Sequence, residues 1–88
     1  MSTFRLNISS PDGAIFEGDI VQVSLRGVEG ELAILAKHVP FITSIVPSDF
    51  HLELEDGTVK KGKTTGGILT VGMEQTTLLT GSVTWEEE

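Results

Sequence analysis

One stretch of the sequence matches the glycine-rich loop that holds phosphate groups in many nucleotide-binding proteins. Residues 57–64 read GTVKKGKT and fit the pattern G-x-x-x-x-G-K-[ST]. Such a loop binds phosphate where it follows a strand and opens a helix, whose first amides face the anion. The next residues, Thr-Gly-Gly-Ile, are a poor start for a helix. We therefore interpret the match as a lysine-rich hairpin strand, with a small nucleotide-binding protein as the weaker alternative.

Carboxylates and histidines are the other side chains that could do chemistry. Glu29 and Glu31 could form an acid–base pair, but catalytic carboxylates need a cleft and two different environments. On a tight loop we expect them to form a solvated acidic tip that can meet a basic partner. His38 and His51 lie far apart in a chain without cysteine, whereas a metal site needs a denser cluster of ligands. These residues therefore indicate no catalytic site, no metal site and no cofactor.

The rest of the chain alternates polar and apolar residues in short runs, which is typical of half-buried strands. Strands are predicted at 3–9, 14–17, 19–26, 31–36, 41–46, 50–55, 58–65, 68–73 and 76–83, with a break at Gly18. No window has the helical period of about 3.6 residues. About ten short strands and no substantial helix favour an all-β fold, an antiparallel β-sandwich over residues 1–85 with an acidic tail at 86–88.

Two turns can be predicted in more detail. Gly27 and Gly30 bracket residues 28–29, which indicates a tight turn in which glycine supplies a positive φ. The Asp-Gly dipeptide at 56–57 predicts a two-residue hairpin. Its return strand, 58–65, should then set its three lysines against the acids of the preceding strand, a pairing worth roughly 0.2–1 kcal/mol each.

The composition is that of one globular domain with an acidic surface. Of 88 residues, 39% are hydrophobic and 22% are charged, which argues against disorder. The formal net charge is −7, so we expect no nucleic-acid partner. The chain opens without a signal-peptide pattern, and no apolar run approaches the roughly 18 residues of a membrane span. We expect a soluble domain that does not insert into a membrane.

The order and spacing of these motifs resemble the epsilon subunit of F-type ATP synthases over nearly the whole chain. An opening F-x-L-x-I is followed by S-P-D at 10–12, and G-x-E-G-E-L-x-I-L-x-x-H-x-P fills 27–40. Near the end, a small residue precedes G-G-x-L-x-V at 65–71. Because the spacings are kept throughout, this resemblance is more specific than the phosphate-loop match.

The resemblance implies a ten-stranded β-sandwich with a mechanical, non-catalytic role in coupling ion flow to ATP synthesis. Such a subunit binds the gamma subunit, sits on the ring of c subunits and turns with them in the central stalk, at the cytoplasmic face of the bacterial inner membrane. The residues implied to face the polar loops of the c ring are Val28, Glu29, Gly30 and Glu31. The residues implied to lie near gamma are His38, Phe41, Ile42 and Thr43.

The sequence departs from the family pattern in three places. Ala36-Lys37 stands where Pro-Gly is common, Thr65 replaces a serine, and the strand before it is lysine-rich rather than apolar. The chain also stops at Glu88, where the family's inhibitory helical hairpin would begin, so we expect a one-domain form that does not inhibit by that route. A free-standing β-sandwich adaptor or carbohydrate-binding module remains the alternative, although the few aromatic residues count against a sugar platform.

Overall fold

A computed structural model describes residues 2–36 and 39–86, and every regular element within them is a strand. The strands are β1 (Phe4–Ser10), β2 (Gly13–Gly27), β3 (Gly30–Leu35), β4 (Phe41–Ile45), β5 (Ser48–Leu54), β6 (Val59–Thr64), β7 (Gly67–Val71), β8 (Gln75–Thr80) and β9 (Val83–Trp85). The all-β prediction is thereby confirmed. The described part of the chain contains no helix of the length and hydrophobicity needed to cross a membrane.

The long strand β2 belongs to both layers of the fold. Up to Ile20 it pairs with β1, and from Gln22 it pairs with β3. Its pairing with β5 begins at Ile20 and shifts register between Ile20 and Gln22. One layer, sheet I, therefore runs β2–β1–β8–β7–β4, and the other, sheet II, runs β3–β2–β5–β6–β9. Nine strands thus provide the ten strand segments of a sandwich.

Two details of the predicted strands were wrong. Gly18 does not break β2 but stays in the ladder opposite Leu6, and a Cβ on Gly18 would come within 3.2 Å of the Phe16 ring. This glycine therefore makes room for a ring rather than for a turn. The predicted strand 76–83 is interrupted after Thr80, and its end becomes β9 on the other sheet.

Among the strand pairs formed by residues 2–36 and 39–86, one is parallel, between β1 and β8. The others are antiparallel. The antiparallel prediction therefore holds for every pair but this one. A parallel pair joins segments that are distant in sequence, so no local turn signal predicts it.

The core lies between the inner faces of the two sheets. Every second residue of the central strands points into it, as the pleat requires. The side chains that are less than 2% exposed include Leu6, Ile8, Ile20, Val23, Leu52, Leu69, Val71 and Leu78. Each such aliphatic side chain contributes about 1.5–3 kcal/mol by leaving water, so these positions hold the two sheets together.

An aromatic seam closes the side of the sandwich where the edge strands β2 and β9 meet. The Trp85 ring lies edge-on to Phe16 and Phe50, with ring centroids 6.3 and 5.5 Å apart. The Lys60 ammonium lies 4.9 Å from the centroid of Trp85 and 5.8 Å from that of Phe16. Lys60 therefore faces aromatic rings and not the acids of β5.

The other two lysines of β6 lie on the outer face, opposite β5. Lys63 pairs in register with Asp49, as predicted, whereas Lys61 lies opposite His51. The ion pairs found within the described residues, Arg5–Glu17 and Arg26–Glu31, involve none of the three lysines. Of the three lysines, Lys63 is thus the one that lies opposite an acid of β5.

The hairpin between β5 and β6 has three loop residues, not the two predicted. The Gly57 amide donates to the Leu54 carbonyl at 3.0 Å, and the Leu54 amide donates to the Thr58 carbonyl at 2.8 Å. Gly57 has a φ of 91°. A type I turn followed by a left-handed glycine is the usual three-residue hairpin, so the glycine signal was correct and the loop length was not.

Candidate partner-binding surfaces

The turn between β2 and β3 forms the predicted tight tip. Gly27 and Gly30 pair across it, so Val28 and Glu29 are the two loop residues. Gly30 has a φ of 127°, as the glycine spacing predicted. Val28 is 60% exposed, and Glu29 and Glu31 are also exposed. The structure thus brings the four residues predicted for the c ring together on one projecting hairpin; we call residues 26–31 the tip.

The acidic tip contains a base that the sequence analysis missed. Arg26 lies opposite Glu31 in the ladder, and its Nη2 donates to the Glu31 carboxylate at 3.1 Å. Both side chains remain more than half exposed, so the pair is worth about 0–1 kcal/mol. Glu29 has no such partner within the described residues. The spacing of Arg26 and Glu31 around a two-residue turn was the signal that could have revealed the pair.

The tip is fixed to the body of the sandwich by backbone hydrogen bonds. The Val28 amide donates to the Ser44 carbonyl, and the Val46 amide donates to the Arg26 carbonyl, both at 3.1 Å. A Cβ on Gly27 would come within 2.9 Å of a Leu32 methyl group and 3.3 Å of the Ser44 oxygen. Gly27 is therefore needed for close approach, not for a positive φ, and it anchors the tip to the end of β4.

A network of buried hydroxyl groups holds the neighbouring β6–β7 loop. The Thr80 hydroxyl donates to the Gly66 carbonyl at 2.7 Å, the Gly66 amide donates to the Thr64 hydroxyl at 3.1 Å, and the two hydroxyls lie 2.7 Å apart. Gly66 has a φ of 94°, and a Cβ there would come within 2.6 Å of the Ile45 carbonyl oxygen. The loop that begins at Thr65 is thus held by hydrogen bonds, and it lies against β4, the strand to which the tip is anchored.

On strands β4, β7, β8 and β1, the outer face of sheet I carries exposed apolar side chains and no charge in its two central rows. One row runs from Ile42 through Thr70 and Thr77 to Asn7, and the next runs from Ser44 through Ile68 and Leu79 to Ser9. Ile42 is 70% exposed, Ile68 44% and Leu79 55%. We call these eight residues the neutral face. Glu17 of β2 continues the first row beyond Asn7 and pairs with Arg5, so charge begins at the β2 edge of sheet I while the eight residues themselves carry no ionisable group.

The residues predicted for gamma are only partly on the neutral face. Ile42 belongs to it, whereas Phe41 and Thr43 lie opposite the buried Val71 and Leu69 and so point to the inner side. Phe41 is still 37% exposed. His38 lies outside the described residues.

Ile68 and Leu79 were not among the contacts predicted from the sequence. Each lies next to a buried leucine, Leu69 or Leu78. Two consecutive apolar residues in a period-two strand place one of them on the outer face. That break in the alternation was the available signal.

The outer face of sheet II is mostly polar, although Leu35 and Val59 are exposed in one of its rows, and it contains a shallow groove of about 610 Å³. Its lining is charged with both signs and includes Arg26, Glu31, Asp49, His51, Lys61 and Glu86. His51 lies opposite Ser24 and Lys61 in the ladder. No group of three histidine or acidic side chains able to hold a metal ion occurs within the described residues.

The segment that matches the phosphate-loop pattern forms a strand of sheet II. Residues Val59–Thr64 form strand β6, hydrogen-bonded between β5 and β9. A Cβ on Gly62 would meet the Phe50 ring at 3.1 Å, so this glycine serves side-chain packing. The segment is the lysine-rich hairpin strand that the sequence favoured.

Comparison with known proteins agrees with this fold. The family of ATP synthase delta/epsilon chain β-sandwich domains matches residues 3–86. In a solved structure of the Euglena gracilis mitochondrial ATP synthase with its c-ring, one chain superposes with a TM-score of 0.89 at 21% identity, over 94% of this chain and 53% of that one. At that identity the likeness shows the fold.

Two curated relatives are closer in sequence. The sodium ion specific ATP synthase epsilon chain of Acetobacterium woodii is 44% identical over 98% of this chain and 65% of its own length. The ATP synthase epsilon chain of Clostridium novyi is 37% identical over 98% of this chain and 66% of its own length. This chain therefore spans slightly less than two thirds of these relatives. With the family match over residues 3–86, the chain belongs to the delta/epsilon β-sandwich domain family of ATP synthases.

Proposed function

We propose that this domain is a non-catalytic rotor part of an F-type ATP synthase, which links the gamma subunit to the c ring and so couples ion flow to ATP synthesis. It would act as a peripheral component at the cytoplasmic face of the bacterial inner membrane. The observation that carries this proposal is the neutral face on an otherwise acidic domain. With the charged tip, it gives the sandwich two surfaces of different chemistry, as a part between two partners needs.

The neutral face is the proposed gamma contact. Protein interfaces are depleted of charged residues at their core, and exposed apolar patches mark interaction sites. Ile42, Ile68 and Leu79 would form that core, framed by threonine and serine side chains. Phe41 would contribute its exposed edge, whereas Thr43 would support Ile42 from the inner side.

The tip is the proposed contact with the polar loops of the c ring. Glu29 is the tip carboxylate that has no ion pair among the described residues, whereas Glu31 is already held by Arg26. Complementary charge speeds encounter and fixes register more than it adds affinity. We therefore assign the main charge contact to Glu29, with Val28 and Gly30 shaping the turn. A close-packed sandwich between the two contacts would transmit torque, because such interiors deform little.

Reconstitution with the cognate gamma subunit and c ring tests this proposal. Three forms would be compared: wild type, Glu29→Lys at the tip, and Glu55→Lys in the hairpin between β5 and β6 as the matched charge reversal. Wild type should bind gamma and remain on the ring. Glu29→Lys should lower ring retention by about fivefold or more while gamma binding is unchanged, since a reversed rim charge repels a basic loop.

The controls separate the two contacts. Glu55→Lys should behave like wild type in both assays. If wild type binds neither gamma nor the ring, the rotor proposal fails and a free-standing adaptor takes its place. If Glu55→Lys weakens ring retention as much as Glu29→Lys, the tip is not the contact.

A further inference from the structure

The chain contains two Asp-Gly dipeptides, at 12–13 and 56–57, and both lie in exposed turns. In such a pair the glycine amide nitrogen can attack the carboxyl carbon of the aspartate side chain. The new C–N bond closes a succinimide ring and one water leaves. A second water then opens the ring at either carbonyl, which gives aspartate or isoaspartate with no net change in mass. Water is the only co-reactant, so the local structure decides the rate.

At the second site the aspartate side chain is held away from this reaction. The Thr58 amide donates to the Asp56 carboxylate at 2.9 Å, which directs that oxygen toward residue 58. This backbone bond, together with the Thr58 hydroxyl, lowers the pKa of Asp56 below its ordinary value. The neutral carboxyl group, which is the better electrophile, is thus rarer than at an aspartate with the ordinary pKa, and the hydrogen bond from Thr58 must open before the ring can close.

At the first site the same protection is missing. The Ser10 hydroxyl accepts a hydrogen bond from the backbone amide of Asp12 at 3.2 Å and donates one to the Gly13 carbonyl at 3.4 Å. These bonds hold the main chain of the turn and leave the Asp12 carboxylate without a hydrogen bond or ion pair among the described residues. Gly13 has a φ of 132° and Gly57 one of 91°, and at neither glycine does an atom lie within 4 Å of the place where a Cβ would be. The two turns are therefore equally open, and they differ in the hydrogen bond to the aspartate side chain.

We propose that Asp12 is a site of spontaneous aspartyl isomerisation in the folded chain and that Asp56 is protected from the same reaction. Isoaspartate at residue 12 would add one carbon to the backbone of a two-residue turn, next to the last ladder pair, Ser10 and Gly13. It would also make the chain a substrate for the class of enzyme that methylates isoaspartyl carboxylates.

Ageing of the full chain in heavy-oxygen water tests this proposal, because succinimide hydrolysis incorporates one oxygen from solvent. Peptide mapping by mass spectrometry then reports each site separately. In the folded chain, Asp12 should isomerise at least about tenfold faster than Asp56, the effect expected where a hydrogen bond to a charged group must first open. In guanidinium, where both turns are unfolded, the two sites should react at similar rates.

Two conservative variants control for the assignment. Asp12→Glu should abolish the label and the isoaspartyl product at the first turn, because glutamate closes the corresponding ring far more slowly. Asp56→Glu should leave the Asp12 signal unchanged. Equal labelling of Asp12 and Asp56 in the folded chain, or a tenfold difference that persists in guanidinium, would overturn the proposal.

Discussion

Two threonines of β8 differ in whether their hydroxyl groups have hydrogen-bond partners, and therefore in how these groups affect stability. Thr80 and Thr76 are both buried, at 5% and 0% exposure. The Thr80 hydroxyl satisfies the Gly66 carbonyl and contacts Thr64. Within the part of the chain that the structure describes, the Thr76 hydroxyl has no hydrogen-bond partner. An unpaired buried polar group is a cost that folding must offset, whereas a paired one is a net gain.

Replacing each threonine with valine should therefore have opposite effects. Thr80→Val leaves the Gly66 carbonyl without its donor and should lower the free energy of unfolding by about 1–3 kcal/mol. Thr76→Val exchanges an unpaired hydroxyl for a methyl group and should be neutral or stabilising. Denaturant unfolding of both variants checks this, and a destabilised Thr76→Val would show that its hydroxyl does find a partner.

The Asp56 carboxylate should make stability depend on pH below its ordinary pKa of 3.8. The Thr58 backbone amide, and after it the Thr58 hydroxyl, lowers the pKa in the folded state. A lowered folded pKa gives stability that is present above 3.8 and lost as pH falls through the folded value. The advantage of wild type over Asp56→Asn should thus be constant near neutral pH and disappear in acid. An NMR titration with an Asp56 midpoint at or above 3.8 would contradict this.

At the scale of elements, alternation in the sequence predicted much of the core, but it missed the fully buried Ile20 next to the register shift between Ile20 and Gln22. It placed Leu6, Ile8 and Val23 on one side of their strands, and all three are buried. Gly18 was misread because a glycine that makes room for the Phe16 ring looks, in sequence, like one that ends a strand. The parallel β1–β8 pairing could not be read at all, since it depends on the assembled sheet.

How far each candidate surface could be predicted depended on whether its residues are neighbours in the sequence or meet only in the folded sheet. The tip is local, so two glycines around residues 28–29 sufficed to predict its turn. The neutral face joins β4, β7, β8 and β1, which meet only in the folded sheet. Ile42 could be named as a candidate, but its neighbours Ile68 and Leu79 required the register.

The aromatic seam gives Lys60 a role that its neighbours on β6 lack. The Lys60 ammonium lies over the Trp85 and Phe16 rings, and a partly exposed cation–π contact is worth about 0.5–1 kcal/mol. Lys60→Gln should lose that amount of unfolding free energy, whereas Lys63→Gln on the outer face should change it by less than about 0.5 kcal/mol.

Trp85 is the sole tryptophan, so fluorescence quenching reports on the seam directly. Access of the quencher should rise in Lys60→Gln and not in Lys63→Gln. If the two variants were equal in both stability and quenching, the lysine would not be part of the seam.

At the scale of the whole molecule, the outer faces of the two sheets differ in charge. Sheet I presents the neutral face, whereas sheet II presents charged side chains of both signs around a shallow groove. Burying the neutral face removes no charge from water, so its desolvation is cheap compared with that of sheet II. This asymmetry is the physical reason for assigning gamma to sheet I.

The measurement that tests this assignment most directly is calorimetric binding of gamma to two variants that add the same charge to opposite faces. Ile68→Asp changes the neutral face and Ala33→Asp changes the exposed outer face of sheet II, and their unfolding midpoints would be compared to confirm that both fold. We predict that Ile68→Asp weakens gamma binding by about tenfold or more, as expected for a residue at an interface core, while Ala33→Asp binds like wild type. A loss of binding in Ala33→Asp with Ile68→Asp unaffected would contradict the account and move the gamma contact to sheet II.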